Sequence, residues 1–197
     1  MQHSQHQQSK LWVGGLILGV VTILLGSGLG GNFSTNLGAN AAQGGGAFAQ
    51  LSSLKTQQPT TTAPAVMTFD QIDGINKMGF NLAKPTDLVA QEAGAYLVVA
   101  AGQVGRAAGA DNPADYVDLW VRVNGKDVDN SNTRQTIREA AFTAVLVSQG
   151  ILVLKAGDVI QVAYSASAAG KGLGIIATKP QNEPAIPSII LSVVKMP

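Results

Sequence analysis

Two stretches of the chain, ADNPADYVD and KDVDN, carry its densest groups of oxygen ligands: Asp111, Asp115 and Asp118 in the first, Asp127, Asp129 and Asn130 in the second. Clustered carboxylates suit calcium, a hard cation that takes oxygen ligands, so the five aspartates are the metal candidates. Neither stretch has the spacing of a calcium loop, and solvated loop carboxylates account for both. The run Gly170-Lys171-Gly172-Leu173-Gly174 has the glycines of a phosphate-binding loop. It lacks the spacing and the Lys-Ser/Thr pair that let such a loop hold phosphate and magnesium, and it is read as a flexible connection before a strand. Cysteine is absent and the two histidines, His3 and His6, stand in the polar tail MQHSQHQQSK. Triads built on His or Cys are therefore excluded from the rest of the chain. Serine with lysine has no motif here. No enzyme is expected, and no cofactor.

The chemistry that remains is that of surfaces, and composition says which kinds. Only 13% of residues are charged and 5% aromatic, whereas glycine occurs 23 times, a mixture that suits tightly turned β-structure rather than a charged helical bundle. Lys10 is the only charge before Lys55, and from Lys55 onward basic and acidic residues balance. A nucleic-acid footprint needs clustered lysine and arginine; none appears, so no nucleic-acid partner is expected.

The uncharged span divides in two. Residues 11–31, LWVGGLILGVVTILLGSGLGG, have about the ~20 residues that a helix needs to cross a bilayer. They predict a single transmembrane helix after the polar tail 1–10, or a cleavable signal segment ending near Ala39-Asn40-Ala41. Gly15, Gly19, Gly26 and Gly30 fall on one stripe of that helix and would let a second helix approach closely. Lys10 on the N-terminal side orients the segment with the C-terminal part outside the cytoplasm. Residues 32–64, small and amide-rich with Thr and Pro at the end, read as a flexible stalk of low complexity.

From residue 65 to 197 short β-rich runs alternate with Gly, Asn, Asp and Pro, the pattern of an all-β sandwich or barrel. Strands are expected near 65–69, 78–82, 86–91, 95–104, 116–123, 133–137, 141–149, 151–154, 159–166, 173–177 and 188–195. Asn124-Gly125 marks a tight hairpin. In DYVDLWVRVNG, Val117, Leu119, Val121 and Val123 alternate with Asp118, Trp120 and Arg122, which predicts a strand with one solvated side. AYLVVAAG and SIILSVV are apolar on both faces and need two covers. With no helices available, the second cover is expected to be another copy of the same sheet. The residues named for that contact are Tyr96, Val98, Val99, Leu191 and Val193.

In its order of elements the chain resembles the C1q and tumour-necrosis-factor family of jelly-roll domains, in its bacterial or viral form. The likeness runs from about Pro64 to Pro197 through AGAYLVV, DLWVRVNGKDV, TAVLVSQGILVLKAGDVIQV and the closing strand SIILSVVKMP. It implies an antiparallel jelly-roll sandwich and a homotrimer packed about its inner sheets. It departs from the family in having no Gly-X-Y repeat in the stalk and few aromatics. The function expected is that of a non-enzymatic, membrane-anchored trimeric domain for adhesion or ligand display at the cell surface. The alternative is a structural virion protein, a minor capsid or spike component in the membrane of a virus, touching other surface or capsid proteins.

Overall fold

The computed structural model describes residues 45–107, 112 and 114–197, and among these there is no helix. The expected transmembrane helix, its glycine stripe Gly15, Gly19, Gly26 and Gly30, and Asp111 lie outside the described residues. Thirteen strands are present: β1 (Phe48–Ser53), β2 (Ala65–Val66), β3 (Gln71–Asn76), β4 (Met78–Asn81), β5 (Lys84–Ala90), β6 (Gly94–Arg106), β7 (Tyr116–Val123), β8 (Lys126–Asp127), β9 (Thr133–Thr136), β10 (Thr143–Leu154), β11 (Val159–Ala166), β12 (Leu173–Ile175) and β13 (Ile189–Lys195).

They form two antiparallel sheets. The first runs β10-β6-β13-β1-β3, with β12 on the end of β6; the second runs β4-β5-β11-β7-β8, with β2 on β11 and β9 on β7. Along the chain the long strands alternate between sheets: β5, β7 and β11 belong to the second, β1, β6, β10 and β13 to the first. Each crossing carries the chain over the end of the sandwich, and the first strand finishes beside the last. That order is a jelly roll.

Period-two alternation explains the packing. Leu51, Tyr96, Val98, Ala100, Leu191 and Val193 from the first sheet meet Leu88, Leu119, Val121, Ile160 and Val162 from the second, all essentially without exposure. The hairpin after β7 has Asn124 and Gly125 at positive φ (53° and 76°), the conformation that a two-residue turn demands and glycine adopts without strain. At the turn into β11, Gly157 (φ 93°) does the same for the Ala-Gly-Asp sequence.

Three sequence expectations need correction. Phe48–Ser53, assigned to the flexible stalk, is β1, inside the first sheet between β13 and β3. Gln71–Asn76, assigned to no strand, is β3 at the edge of that sheet, with a register irregularity near its middle. The expected strands 141–149 and 151–154 are one strand, β10, paired without a break to β6 from Thr143↔Gly105 to Leu154↔Gly94.

The two ends of the sandwich differ in their connections. At one end the turns are short, and the chain enters there: the carbonyls of Gly45 and Gly46 accept from Asn76 Nδ2 at 3.1 Å, and Lys195 N donates to Ala47 O at 2.8 Å. At the other end lie the longer connections 54–64, 107–115, 137–142, 167–172 and 176–188.

Candidate interaction surface

The outward positions of the first sheet form a face of their own. Across the four strands β10, β6, β13 and β1, Ile151, Leu97, Val194 and Phe48 stand in one row, and Gln149, Val99, Ser192 and Gln50 in the next. No outward position on these strands carries a charge. Exposure is highest on β10, where Val153 is 87% exposed, Val145 67% and Ile151 62%. At the β1/β13 end of the face an open groove of about 800 Å³ is lined by Phe48, Gln50, Ser192, Val194 and Lys195. At standard strand spacing the four strands cover on the order of 500 Å² in plane. The side chains roughen that area toward the ~800 Å² that each partner of a stable interface buries.

The residues named from sequence for this contact are mostly on the other side. Tyr96, Val98, Leu191 and Val193 have no exposure, because they fill the core between the sheets, where no partner reaches them. Val99 does lie on the outer face. Sequence reading recognised that β6 and β13 are apolar on both sides but not which side is which. It missed Leu97, Val145, Val147, Ile151, Val153, Ile190 and Val194. The signal was present in TAVLVSQGILVL, whose odd and even positions are both mostly apolar.

The outer face of the second sheet is different. Along β7, Tyr116, Asp118, Trp120 and Arg122 point outward, but Asp118 and Trp120 are buried, not solvated as expected. Asp118 is held in a two-pronged bond by Arg134 (Nε to Oδ1 2.7 Å, Nη2 to Oδ2 2.8 Å), and the same guanidinium sits 3.6 Å from the centre of the Tyr116 ring. Trp120 Nε1 donates to Asp127 Oδ1 at 2.6 Å, Arg122 Nε donates to the same oxygen, and the Arg122 guanidinium lies 5.5 Å from the Trp120 ring centre. Arginine stems and planes thus cover the aromatic stripe that no sheet covers.

The calcium candidates have other partners. Asp115 is buried against Arg106 and accepts from Ser167 Oγ at 3.0 Å; Asp118 is taken by Arg134 and Asp127 by Arg122. Asp129 is exposed, and among the described residues no group of three His, Cys, Asp or Glu side chains is placed to hold a metal. Burial pushes the Asp115 carboxyl up, but its bonds to Arg106 and Ser167, with the charge of Arg106, outweigh that and hold it below the usual carboxylate range. Bonds from Arg122 and Trp120 lower Asp127, and bonds from Thr86 and Gln161 lower Asp87. The glycine run 170–174 is a turn into β12 that serves the fold: Lys171 O accepts from Arg106 Nη1 at 3.3 Å and Gly172 O from Ala107 N at 2.8 Å.

No family model and no curated protein matches the sequence. Among solved structures, the globular domain of zebrafish complement 1qA protein is similar to this chain, at 12% identity with a TM-score of 0.49, over 77% of this chain and 98% of that one. The jelly-roll assignment rests on strand order rather than on that likeness.

Proposed function

We propose that the chain is a non-enzymatic, membrane-anchored member of the C1q/tumour-necrosis-factor type that assembles with copies of itself through the outer face of its first sheet. The carrying observation is that face, which is broad and apolar and has no charge at its outward strand positions, with Glu92 and Lys195 only at the groove on its rim. Contiguous apolar patches beyond a few hundred Å² are rare on soluble monomers. Burying one is favourable at roughly 25 cal/mol per Å². A second copy is the occupant because a neutral apolar face is complementary to itself, whereas a charged partner would leave its charges unpaired against it. The number three comes from the family resemblance alone. The end of the sandwich remote from chain entry carries the longer connections, and adhesion or ligand binding is assigned to those loops.

Multi-angle light scattering tests the assembly. The segment from Gly45 to Pro197, and the full chain in detergent, are expected to run as trimers at micromolar concentration. A folded monomer overturns the reading, and a dimer removes the family's number while keeping the contact face.

A further inference from the structure

The strand order of the two sheets leaves four edges, and three of them are blunted. β3 carries the exposed Asp73 and a register shift opposite Gln50 and Leu51. β4 is four residues long and shifts register at Phe80 and Asn81. β8 is two charged residues, Lys126 and Asp127, and β9, which continues that edge along β7, carries the exposed Arg134. Charges, bulges and short length are the devices that keep open backbone groups at a sheet edge from recruiting another strand. β10, the fourth edge, has none of them. Its 12 residues pair without a break to β6 on one side and, among the described residues, with no strand on the other. They include no charged residue and no proline.

The sequence of this edge reads nearly the same in both directions. Outward from Gln149, Ser148 matches Gly150, Val147 matches Ile151, Leu146 matches Leu152 and Val145 matches Val153. In an antiparallel pair, residues directly opposite point to the same side of the sheet. A two-fold axis through Gln149 therefore sets each residue against one of its own kind. Val145, Val147, Gln149, Ile151 and Val153, all exposed in the single chain, form the outward ladder of such a pair. Leu146 and Leu152 meet on the inward side. Ser148 falls opposite Gly150, where an added Cβ would meet no described atom within 4 Å. Nothing described within one copy fills that space.

We propose that β10 pairs antiparallel with β10 of a second copy about a two-fold axis at Gln149, joining their first sheets into one. The occupant is another copy because a near-palindrome has a reason in a two-fold pairing and none in pairing with an unrelated strand. The edge also has no charge that the symmetry would set against its like, and Lys155, just past its end, falls opposite Thr143. A pair of this kind uses the same patch on both copies and closes, so no open chain of subunits follows. The pairing lies in the plane of the sheet and leaves the outer face free. It is thus a second contact, which stands without the face contact proposed above. A nine-residue ladder is only about 30 Å long and buries less than the ~800 Å² per partner of a standard interface. It is the weaker of the two contacts and populates above the micromolar range.

The chain has no cysteine, so introduced cysteines report the register without background. The full chain in detergent, at high micromolar concentration, is treated with a short bismaleimide and resolved by denaturing electrophoresis. Gln149→Cys is expected to cross-link to itself. Val145→Cys and Val153→Cys should not do so alone, because in this register the two copies of either residue stand about 27 Å apart. A mixture of the two should give roughly tenfold more dimer than either by itself, since the two positions are then directly opposite. The same pattern is expected with Ile190→Asp added, which strikes the face contact alone, and Val99→Asp serves if that variant folds poorly. A mixture that cross-links no better than the single variants overturns the pairing, and so does a pattern lost together with the face contact.

Discussion

The two outer faces of this sandwich solve the same problem in opposite ways. Each is the back of a sheet whose front fills the core, and each carries large side chains that water solvates poorly. On the second sheet, Arg134 and Arg122 lie across Tyr116 and Trp120 while bonding Asp118 and Asp127, so the aromatic stripe is closed by the chain itself. On the first sheet nothing in the described chain covers Leu97, Val145, Ile151 and Val194. A face sealed by its own arginines is finished within one molecule. A face left apolar and neutral is, on the proposed reading, finished by another copy.

The strongest test of the contrast lies within one strand. Leu191 has no exposure whereas its neighbour Ile190 points outward at 36%. Leu191→Asp buries a carboxylate in the core and is expected to abolish folding at 25 °C, read by circular dichroism. Ile190→Asp or Val99→Asp should leave the spectrum and cooperative melt intact but yield a monomer in light scattering. If Ile190→Asp unfolds the domain or leaves the oligomer whole, the two faces of β13 are misassigned.

A smaller effect concerns the buried pair at the far end. Arg106 and Asp115 side chains are 1% and 5% exposed. Arg106→Met strands the carboxylate and should cost about 3–5 kcal/mol, lowering Tm by roughly 10 °C. The double variant Arg106→Met/Asp115→Leu should recover much of the loss. Equal destabilisation in the single and double variants would show that the packing, not the stranded charge, sets the cost.

Acid and salt should separate the faces without any substitution. Asp87, Asp115 and Asp127 all titrate below their usual range in the fold. A carboxylate depressed by folding contributes fully above its unfolded value, near about 3.9. It loses that contribution as pH falls through the folded value, because the unfolded chain binds protons first. Stability is therefore expected to hold between about pH 5 and 8 and to fall below about pH 4. Association through the uncharged face should not weaken with salt over the neutral range; dissociation on adding salt would mean that charges carry the contact. The smallest effect is expected for Arg122→Gln, which loosens the cover on Trp120 and should cost only about 0.5 kcal/mol in a thermal melt.

What could be read from the sequence follows from how the strands are marked. β6, β7, β11 and β13 are runs of Val, Ile, Leu and Tyr bounded by Gly, Asn-Gly or Ala-Gly-Asp turns, and both composition and period announce them. β1, FAQLSS, carries only Ala49 and Leu51 as inward apolar residues and follows GGGA, so its composition matches a tether. What makes it a strand is a non-local fact, the open edge of β13. β3, QIDGIN, is written in turn residues because it is an edge with irregular pairing. Gly150 suggested a break in β10, yet it pairs with Val98 in an unbroken ladder. The contact face was legible as a need, since two strands were apolar on both sides. Its residues were not, because alternation gives two sets without saying which faces the second sheet.

The placement of β1 beside β13 also has a bearing on the order of events during synthesis. Ser53 and Ser188 meet across 135 positions, with Ser188 Oγ donating to Ser53 O at 3.2 Å. Strand β1 therefore waits, unpaired on that side, until β13 has left the ribosome. Non-local pairings of this kind give slow folding, in the millisecond-to-second range for sandwiches. The first sheet acquires its full width, and with it the complete apolar face, only once β13 has joined it. If copies assemble through this face as proposed, they have no complete surface to recognise before β13 has paired.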